Sequence, residues 1–250
     1  MPIGAAMALV IALGALAAWT SGCSRGERFR EFEYEEEIVL SLDGSASVFV
    51  TTSVAALNAL RGASFPTAPS VNIDRDAIRS WFSTPAARVT RRPGLSRRHG
   101  RRFLHVRLEV DDVSRLAEAA PFAWSAYRFA RQGDELVFRQ TVGPSAAKEV
   151  GEVGWDGSEG VAFRLHLPSA VVYHNAGANN LKRGNILVWE QSLGERLRGE
   201  PLALEARIQS QSILSRTLLL FEASIAAVAL MFAAVLWWVV RKGRRLQRIQ

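Results

Sequence analysis

The longest apolar run of the chain lies near its C-terminus, at residues 217–240. It contains one charged residue, Glu222, and neither Gly nor Pro. As a helix rising about 1.5 Å per residue it would measure about 36 Å, which exceeds the roughly 30 Å hydrocarbon core of a bilayer. A buried core helix is the alternative, but core helices are rarely this long. The pattern therefore predicts a transmembrane helix at 217–240.

The two flanks of this run differ in charge. Five Lys and Arg residues follow it within 241–250, whereas Arg216 alone lies close before it. Positive charge is retained on the cytoplasmic side, and the tandem Trp237 and Trp238 favour the headgroup layer. We therefore predict a basic cytoplasmic tail at 241–250 and a body outside the cytoplasm. Glu222 lies five residues inside the outer end, where it can reach water or pack against a partner helix.

A second apolar run, residues 3–19, is rich in Ala and Gly and typical of a signal-peptide core. No Lys or Arg precedes it, so an uncleaved membrane segment is the alternative; both place the body outside. Residues 20–23 read Thr-Ser-Gly-Cys, which is similar to a bacterial lipobox except that Thr20 occupies a position where Leu is usual. Cys23 is the only cysteine of the chain. We expect it to be lipidated, with an incidental thiol as the alternative.

These features predict a single-pass protein of a bacterial inner (plasma) membrane. Residues 1–23 form a signal peptide with a possible lipobox ending at Cys23, and residues 24–215 form one extracytoplasmic domain. The formal net charge is +7. The five cations of the tail account for most of this charge, so the balance gives no reason to expect a nucleic-acid partner.

Short alternating segments dominate residues 24–215. Asp43-Gly44 separates two strand-like runs at 32–42 and 45–52, and Gly133-Asp134 separates runs at 125–131 and 135–142, so both pairs predict hairpins. Further strands are predicted at 103–110, 161–167, 171–173, 186–191 and 202–208. Ser53, Asp74 (or Asn72) and Asp112 (or Asp111) are N-cap candidates for three short helices. The predicted fold class is α+β, a mainly antiparallel sheet with two or three short helices, plus the C-terminal transmembrane helix.

Eight arginines lie between residues 88 and 107, and no acidic residue occurs between Asp76 and Glu109. Guanidinium groups bind phosphate and carboxylate in a bidentate manner. We single out six of them as a possible binding site for anionic ligands: Arg91, Arg92, Arg97, Arg98, Arg101 and Arg102. A solvated loop is one alternative reading. Cross-strand pairing is another, because Glu33, Glu35 and Glu37 share one strand face, as do His105 and Arg107.

Residues 173–190 form a polar segment rich in Asn and Gly. Loops of this composition on a rigid sheet often carry binding groups, although Asn and Gly also serve ordinary turns. The possible ligand loop consists of Tyr173, His174, Asn175, Asn179 and Asn180.

No motif of the chain indicates catalysis or a cofactor. The four histidines, at 99, 105, 166 and 174, lack the i, i+4 spacing of a helical metal site, so we predict no metal. There is no Gly-rich phosphate loop, no G-x-S-x-G turn and no C-x-x-C pair. We predict a protein without enzymatic activity. A hydrolase would require the fold to bring His166 or His174 next to Ser and Asp.

Four features together resemble the LppM-type envelope lipoproteins of actinobacteria. They are the Gly22-Cys23 pair, the turn at residues 43–45, the strand at 185–189 before that at 202–208, and the single C-terminal span with its basic tail. The resemblance implies an α+β body outside the membrane that binds lipids or glycolipids and has no catalytic residues. We therefore expect a membrane-surface module whose partners are the bilayer and anionic lipid or glycolipid headgroups. An accessory subunit with a membrane-protein partner is the second hypothesis.

Overall fold

The computed structural model describes residues 32–177, 180–182, 185–210 and 213–246. The predicted signal segment, Cys23 and Asn179 lie outside these residues. The strands are β1 (Phe32–Leu40), β2 (Ala46–Ser53), β3 (Ala87–Val89), β4 (Gly94–Arg98), β5 (Arg101–Val110), β6 (Ser125–Gln132), β7 (Glu135–Val142), β8 (Gly160–His166), β9 (Val171–His174), β10 (Leu181–Lys182), β11 (Ile186–Ser192) and β12 (Leu202–Gln209). The α-helices are α1 (Val54–Arg61), α2 (Arg75–Phe82), α3 (Leu193–Leu197) and α4 (Ile213–Leu246).

The strands form two sheets. The large sheet has eight strands in the order β10-β11-β8-β1-β2-β5-β3, with β4 also paired to β5. The small sheet has four strands in the order β6-β7-β12-β9. Within the described residues, β1 and β8 are the one parallel pair and every other pair is antiparallel. The predicted α+β class with a mainly antiparallel arrangement is confirmed.

Both predicted hairpins form, and local chemistry explains the first turn. Gly44 has φ +90°, a value that residues with a Cβ rarely adopt. The Asp43 carboxylate accepts hydrogen bonds from the Ser45 backbone N–H at 3.0 Å and from its hydroxyl at 2.7 Å. Those bonds stabilise the charged carboxylate, so they lower the pKa of Asp43.

Caps define the short helices. The Ser53 hydroxyl accepts from the N–H of Ala56 at the start of α1, and Gly62 ends that helix with φ +73°. Asp74 caps α2 in the same way. Asp112 caps the third predicted helix, Val113–Glu118, which is a 3₁₀ helix.

The core lies on one face of the large sheet. Along β1, the side chains of Tyr34, Glu36, Ile38 and Leu40 are buried on this face. The helices α1 and α2 and the 3₁₀ helix contribute apolar side chains to the cluster, and so does the inner face of the small sheet. The two sheets and the short helices therefore share one core.

The two ends of β1 have different neighbours. At its Phe32 end, β1 pairs with Gly160, and the tip of the β4–β5 turn lies close by. At its Leu40 end lie the last residues of β8, which is the parallel partner of β1. The last residues of β12 also lie there, because the N–H of Gln209 bonds at 3.1 Å to the carbonyl of Ala170, which follows β8 in the chain. A nine-residue strand spans about 26 Å at about 3.3 Å per residue. These ends are called the Phe32 end and the Leu40 end below.

The C-terminal helix α4 has 34 residues, Ile213–Leu246, and contains the predicted span. Its Leu220–Trp237 stretch has a mean hydropathy of 2.1, and none of that stretch is buried. Within the described residues it is the one helix long and apolar enough to cross a membrane. The helix extends beyond 217–240 at both ends, because backbone hydrogen bonding continues into the less apolar residues on either side.

Candidate functional site

The arginine-rich segment is an ordered hairpin and not a simple loop. Strands β4 and β5 pair antiparallel, with Arg97 opposite Arg102 and Arg98 opposite Arg101. The turn between them consists of His99 and Gly100, with φ +45° and +72°. Two successive positive φ values are what a two-residue type I′ hairpin turn requires. We call residues 94–105 the arginine hairpin.

Backbone carbonyls of a neighbouring loop hold part of this hairpin. Arg102 donates to the carbonyl oxygens of Val71, at 2.6 Å, and Pro69. Arg97 also donates to Pro69, through Nη2 at 2.6 Å. Arg102 is buried, so its side chain stabilises the fold through these hydrogen bonds in addition to carrying a positive charge.

The hairpin tip also contacts the first strand. Arg101 Nη2 lies 2.9 Å from the Glu33 carboxylate, which is fully buried. The guanidinium of Arg98 lies 5.2 Å from the centre of the Phe103 ring. These contacts place the hairpin at the Phe32 end of the body.

Among the described residues, most arginines of this region form no ion pair with a carboxylate. Ion pairs join Arg88 to Asp111, Arg101 to Glu33 and Arg107 to Glu109. Within the part of the chain that the structure describes, no ion pair is formed by the other five: Arg91, Arg92, Arg97, Arg98 and Arg102. Arg91 and Arg92 are also exposed to solvent. Among the described residues, Arg91 and Arg92 therefore present positive charge that no carboxylate pairs with.

A pocket of about 410 Å³ adjoins the hairpin. His99, Arg101 and Arg102 line it together with Pro69 and Glu152. The volume falls in the range of small-molecule sites, which is about 300–1,000 Å³. Guanidinium groups beside apolar atoms suit an anionic headgroup that carries some apolar surface.

The hairpin also contains a serine and histidine pair that the sequence did not indicate. Ser96 Oγ lies 2.8 Å from His105 Nε2, and Thr51 Oγ1 lies 3.2 Å from Nδ1. Burial and then the charge of Arg98 lower the pKa of His105, so the neutral ring is favoured. A catalytic triad would have a carboxylate in the place of Thr51. The arrangement provides hydrogen bonding within the sheet.

Neither histidine named for a possible hydrolase has a serine partner in the described residues. His166 Nε2 lies 2.6 Å from Glu37, and His174 lies on the edge strand β9. The same part of the chain holds no group of three His, Cys, Asp or Glu side chains placed to bind a metal.

The acidic face of β1 forms its ion pairs with β8 and not with β5, the strand that carries His105 and Arg107. Strand β2 separates β1 from β5, so Glu35 and Glu37 do not meet His105 and Arg107. Glu35 instead pairs with Arg164 and Glu37 with His166, both on β8. A bulge between Phe32 and Tyr34 gives Glu33 its separate, buried position.

The possible ligand loop is divided by the fold. Tyr173 and His174 belong to β9, whereas Asn180 bonds through its backbone to Gly177 and Val188. Asn175 uses its side chain within the protein. Its Oδ1 accepts from Trp189 Nε1 and from the N–H of Glu205, both at 2.9 Å, and so joins the large sheet to the small sheet.

A buried polar cluster around Glu36 was not expected from the sequence. Glu36 lies on the inner face of β1 and is 1% exposed. Its carboxylate accepts from Tyr34 Oη at 2.9 Å, Tyr127 Oη at 2.8 Å, Gln140 Nε2 at 2.9 Å and Arg61 Nη2 at 3.3 Å. The sequence does hold one clue, because Glu36 occupies an inward position in the alternation of β1 between Tyr34 and Ile38.

A second buried arginine lies beside this cluster. The guanidinium of Arg61 stacks on the Trp124 ring, and that of Arg196 lies 4.9 Å from the centre of the same ring. Burial and the charge of Arg61 lower the pKa of Arg196 to about 10. Burial, the largest cause, raises the pKa of Tyr127 well above its usual value. Since these side chains are closed to solvent, we assign the cluster to stability.

No protein-family model and no curated protein matches the chain. Among solved structures, the chain is similar to the NMR structure of the folded domain of the LppM protein of Mycobacterium tuberculosis. The identity is 14% and the TM-score 0.38, with 74% of this chain and 95% of that domain covered. This is a distant structural similarity, and no residue role is transferred from it.

Proposed function

We propose that this chain is a non-enzymatic, membrane-anchored module whose arginine hairpin binds the anionic headgroup of a lipid or glycolipid. The observation that carries the proposal is the set of five arginines without a carboxylate partner in the described residues. Arg97, Arg98 and Arg102 lie on the ordered hairpin, which adjoins a pocket of about 410 Å³, and Arg91 and Arg92 lie just before it in the chain.

The geometry of the hairpin favours binding over simple solubility. Arg97 donates to Pro69 through one nitrogen, Nη2, so its other donors remain for a ligand. A side chain that is already held loses less conformational entropy when it binds. Paired guanidiniums favour phosphate or carboxylate groups, which accept two parallel hydrogen bonds.

The membrane assignment rests on α4. Its apolar stretch supports a single span, and the basic residues after it support a cytoplasmic C-terminus. The bilayer is then the first partner of the chain. The hairpin would act outside the cytoplasm, where anionic headgroups are more available than nucleic acid.

Native mass spectrometry of the full chain tests this proposal. The chain is released from neutral detergent after incubation with equal amounts of phosphatidylglycerol and phosphatidylcholine. We expect preferential retention of phosphatidylglycerol, and we expect Arg91→Gln with Arg92→Gln to reduce it.

The control carries the same charge change on the small sheet. Arg128 and Arg131 lie exposed on β6, away from the hairpin, so Arg128→Gln with Arg131→Gln should retain the preference. Equal retention of both lipids by the wild type would refute headgroup selectivity. Equal losses in the two double variants would show that only overall charge matters.

A second candidate function is that of an accessory subunit of a membrane complex. Glu222 lies exposed within the apolar stretch of α4, and an intramembrane carboxylate is costly without a partner. Crosslinking of the full chain in mild detergent should then capture a partner that Glu222→Leu loses. A solitary monomer in both cases would remove this candidate.

A further inference from the structure

The exposed apolar side chains of the body gather at one end. Five large apolar residues outside α4 are exposed in the described part of the chain: Val39, Val71, Val172, Tyr173 and Leu181, at 38–51%. Single exposed apolar residues are common, but a group at one place requires an explanation. Four of the five, all except Val71, lie at the Leu40 end.

The strand registers establish this placement. Val39 is opposite His166, His166 is opposite Ile186, and Ile186 is opposite Lys182, which follows Leu181. These residues therefore form one row across the end of the large sheet.

The other two residues lie on the small sheet. Val172 and Tyr173 belong to β9, whose Val171 pairs with Ile208 near the end of β12. Beyond β12 the chain continues directly to α4. The exposed group thus adjoins the strand that leads into the membrane helix.

The length of the connection limits how far this end can lie from the bilayer. Four residue steps separate Gln209 from Ile213, which is the first residue of α4, and four helical steps lead from there to residue 217. At about 3.5 Å per extended residue and 1.5 Å per helical residue, the reach is at most about 20 Å. The Phe32 end can lie about 26 Å further away, the length of β1.

We propose that the Leu40 end of the body rests on the outer leaflet through an anchor-end surface formed by Val39, Val172, Tyr173, Leu181 and Lys182. Aliphatic side chains would enter the boundary of the acyl region, and the amphipathic Tyr ring suits the headgroup layer. The exposed Lys182 provides a charge for lipid phosphates.

This surface also restricts what the arginine hairpin can reach. The hairpin lies at the Phe32 end, so in an upright body it faces away from the leaflet that holds α4. A headgroup that reaches it must project well above that leaflet, as the sugars of a glycolipid do, or be delivered to it.

Fluorescence quenching in bilayers tests the anchor-end surface. The full chain carries Cys23→Ser and one new cysteine, at Val172, Leu181 or the control Val71, each labelled with an environment-sensitive dye. The chain is inserted into nanodiscs of phosphatidylcholine containing a doxyl-labelled lipid. We expect several-fold stronger quenching at 172 and 181 than at 71. Quenching at 172 and 181 that does not exceed quenching at 71 would overturn the proposal.

Hydrogen exchange of the unlabelled wild-type chain replaces this experiment if a labelled variant fails to fold. A bilayer extends sideways beyond the helix, whereas a detergent belt is narrow. Amides of β9 and β10 should therefore exchange several-fold more slowly in phosphatidylcholine nanodiscs than in neutral detergent, and unchanged exchange would overturn the proposal. Neither experiment contains anionic lipid, so its outcome is separate from that of the headgroup test.

Discussion

Two sets of arginines in this chain have opposite surroundings. Arg61 and Arg196 are buried between the two sheets, where Glu36, the Trp124 ring and backbone carbonyls surround them. Arg91 and Arg92 lie exposed near the arginine hairpin and form no ion pair in the described residues. The same side chain thus stabilises the fold in one place and is available for a ligand in the other.

The comparison shows that arginine density does not indicate the role of an arginine. A buried guanidinium must be paired or hydrogen-bonded, because leaving its charge uncompensated costs several kcal/mol. An exposed guanidinium has water as its partner and can exchange it for a phosphate. Burial therefore separates the two roles, and each variant below tests that separation through the free energy of unfolding.

The largest effect is expected for Glu36→Gln. Within the described residues Glu36 is the carboxylate that pairs with Arg61, so its removal leaves a buried positive charge without compensation. We expect a loss of about 3–5 kcal/mol in the free energy of unfolding. Thermal unfolding of the full chain in neutral detergent, followed by Trp fluorescence, measures it. The neighbouring Glu35→Gln is the control, because the partly exposed Glu35–Arg164 pair should contribute less than about 1 kcal/mol. Equal losses would contradict a structural role of the cluster.

A smaller loss is expected for Arg196→Lys. Lysine retains the charge but not the planar group through which Arg196 donates to Gln191 and to the carbonyls of Glu200 and Gly143. Unsatisfied buried acceptors cost about 1–3 kcal/mol. The exposed Arg198→Lys, two positions away, should change stability little. If both variants melt at the same temperature, the fork of hydrogen bonds is not required.

A weak, pH-dependent effect is expected for Glu205→Gln on the small sheet. Hydrogen bonds from Arg139 and Arg207 lower the pKa of Glu205 in the folded state. The contribution of the Glu205 carboxylate to the free energy of unfolding is therefore fully present above the unfolded-state pKa of about 4.3. It is lost as the pH falls through the lower pKa of the folded state. The difference between wild type and variant, less than about 1 kcal/mol at neutral pH, should shrink on acidification below about pH 4.3. A stability difference between wild type and variant that grows on acidification would contradict this prediction.

The smallest effect on stability is expected for Arg91→Gln with Arg92→Gln. Both residues are exposed, so the unfolding free energy should change by less than about 0.5 kcal/mol. The same double variant should lose preferential retention of phosphatidylglycerol. Destabilisation comparable to that of Glu36→Gln would show that these arginines also hold the fold, and the contrast between the two sets would fail.

Much of the architecture was predictable because it depends on local patterns. The alternation of apolar residues indicated most strands, and Asp43-Gly44 and Gly133-Asp134 indicated both hairpins. The strands β3, β4 and β10 were missed, because β3 has three residues, β10 has two, and the sequence of β4 is dominated by charge rather than by alternation. The six arginines named as a possible binding site are close together in the sequence, but their division into held and exposed side chains depends on a loop about 30 residues away.

The amino-acid sequence was sufficient to predict the apolar span with its basic flank, the α+β class and the helix caps. Each of these features depends on residues that are close together in the chain. The tertiary structure decided which charges meet. Glu36 differs from Glu35 and Glu37 only by its register, yet packing of the two sheets gives it three partners that are distant in sequence, Arg61, Tyr127 and Gln140. Packing also brings the arginine hairpin and the end of β12, the strand that precedes α4, to opposite ends of β1. Such placements follow from strand pairing between distant segments, which no local pattern encodes.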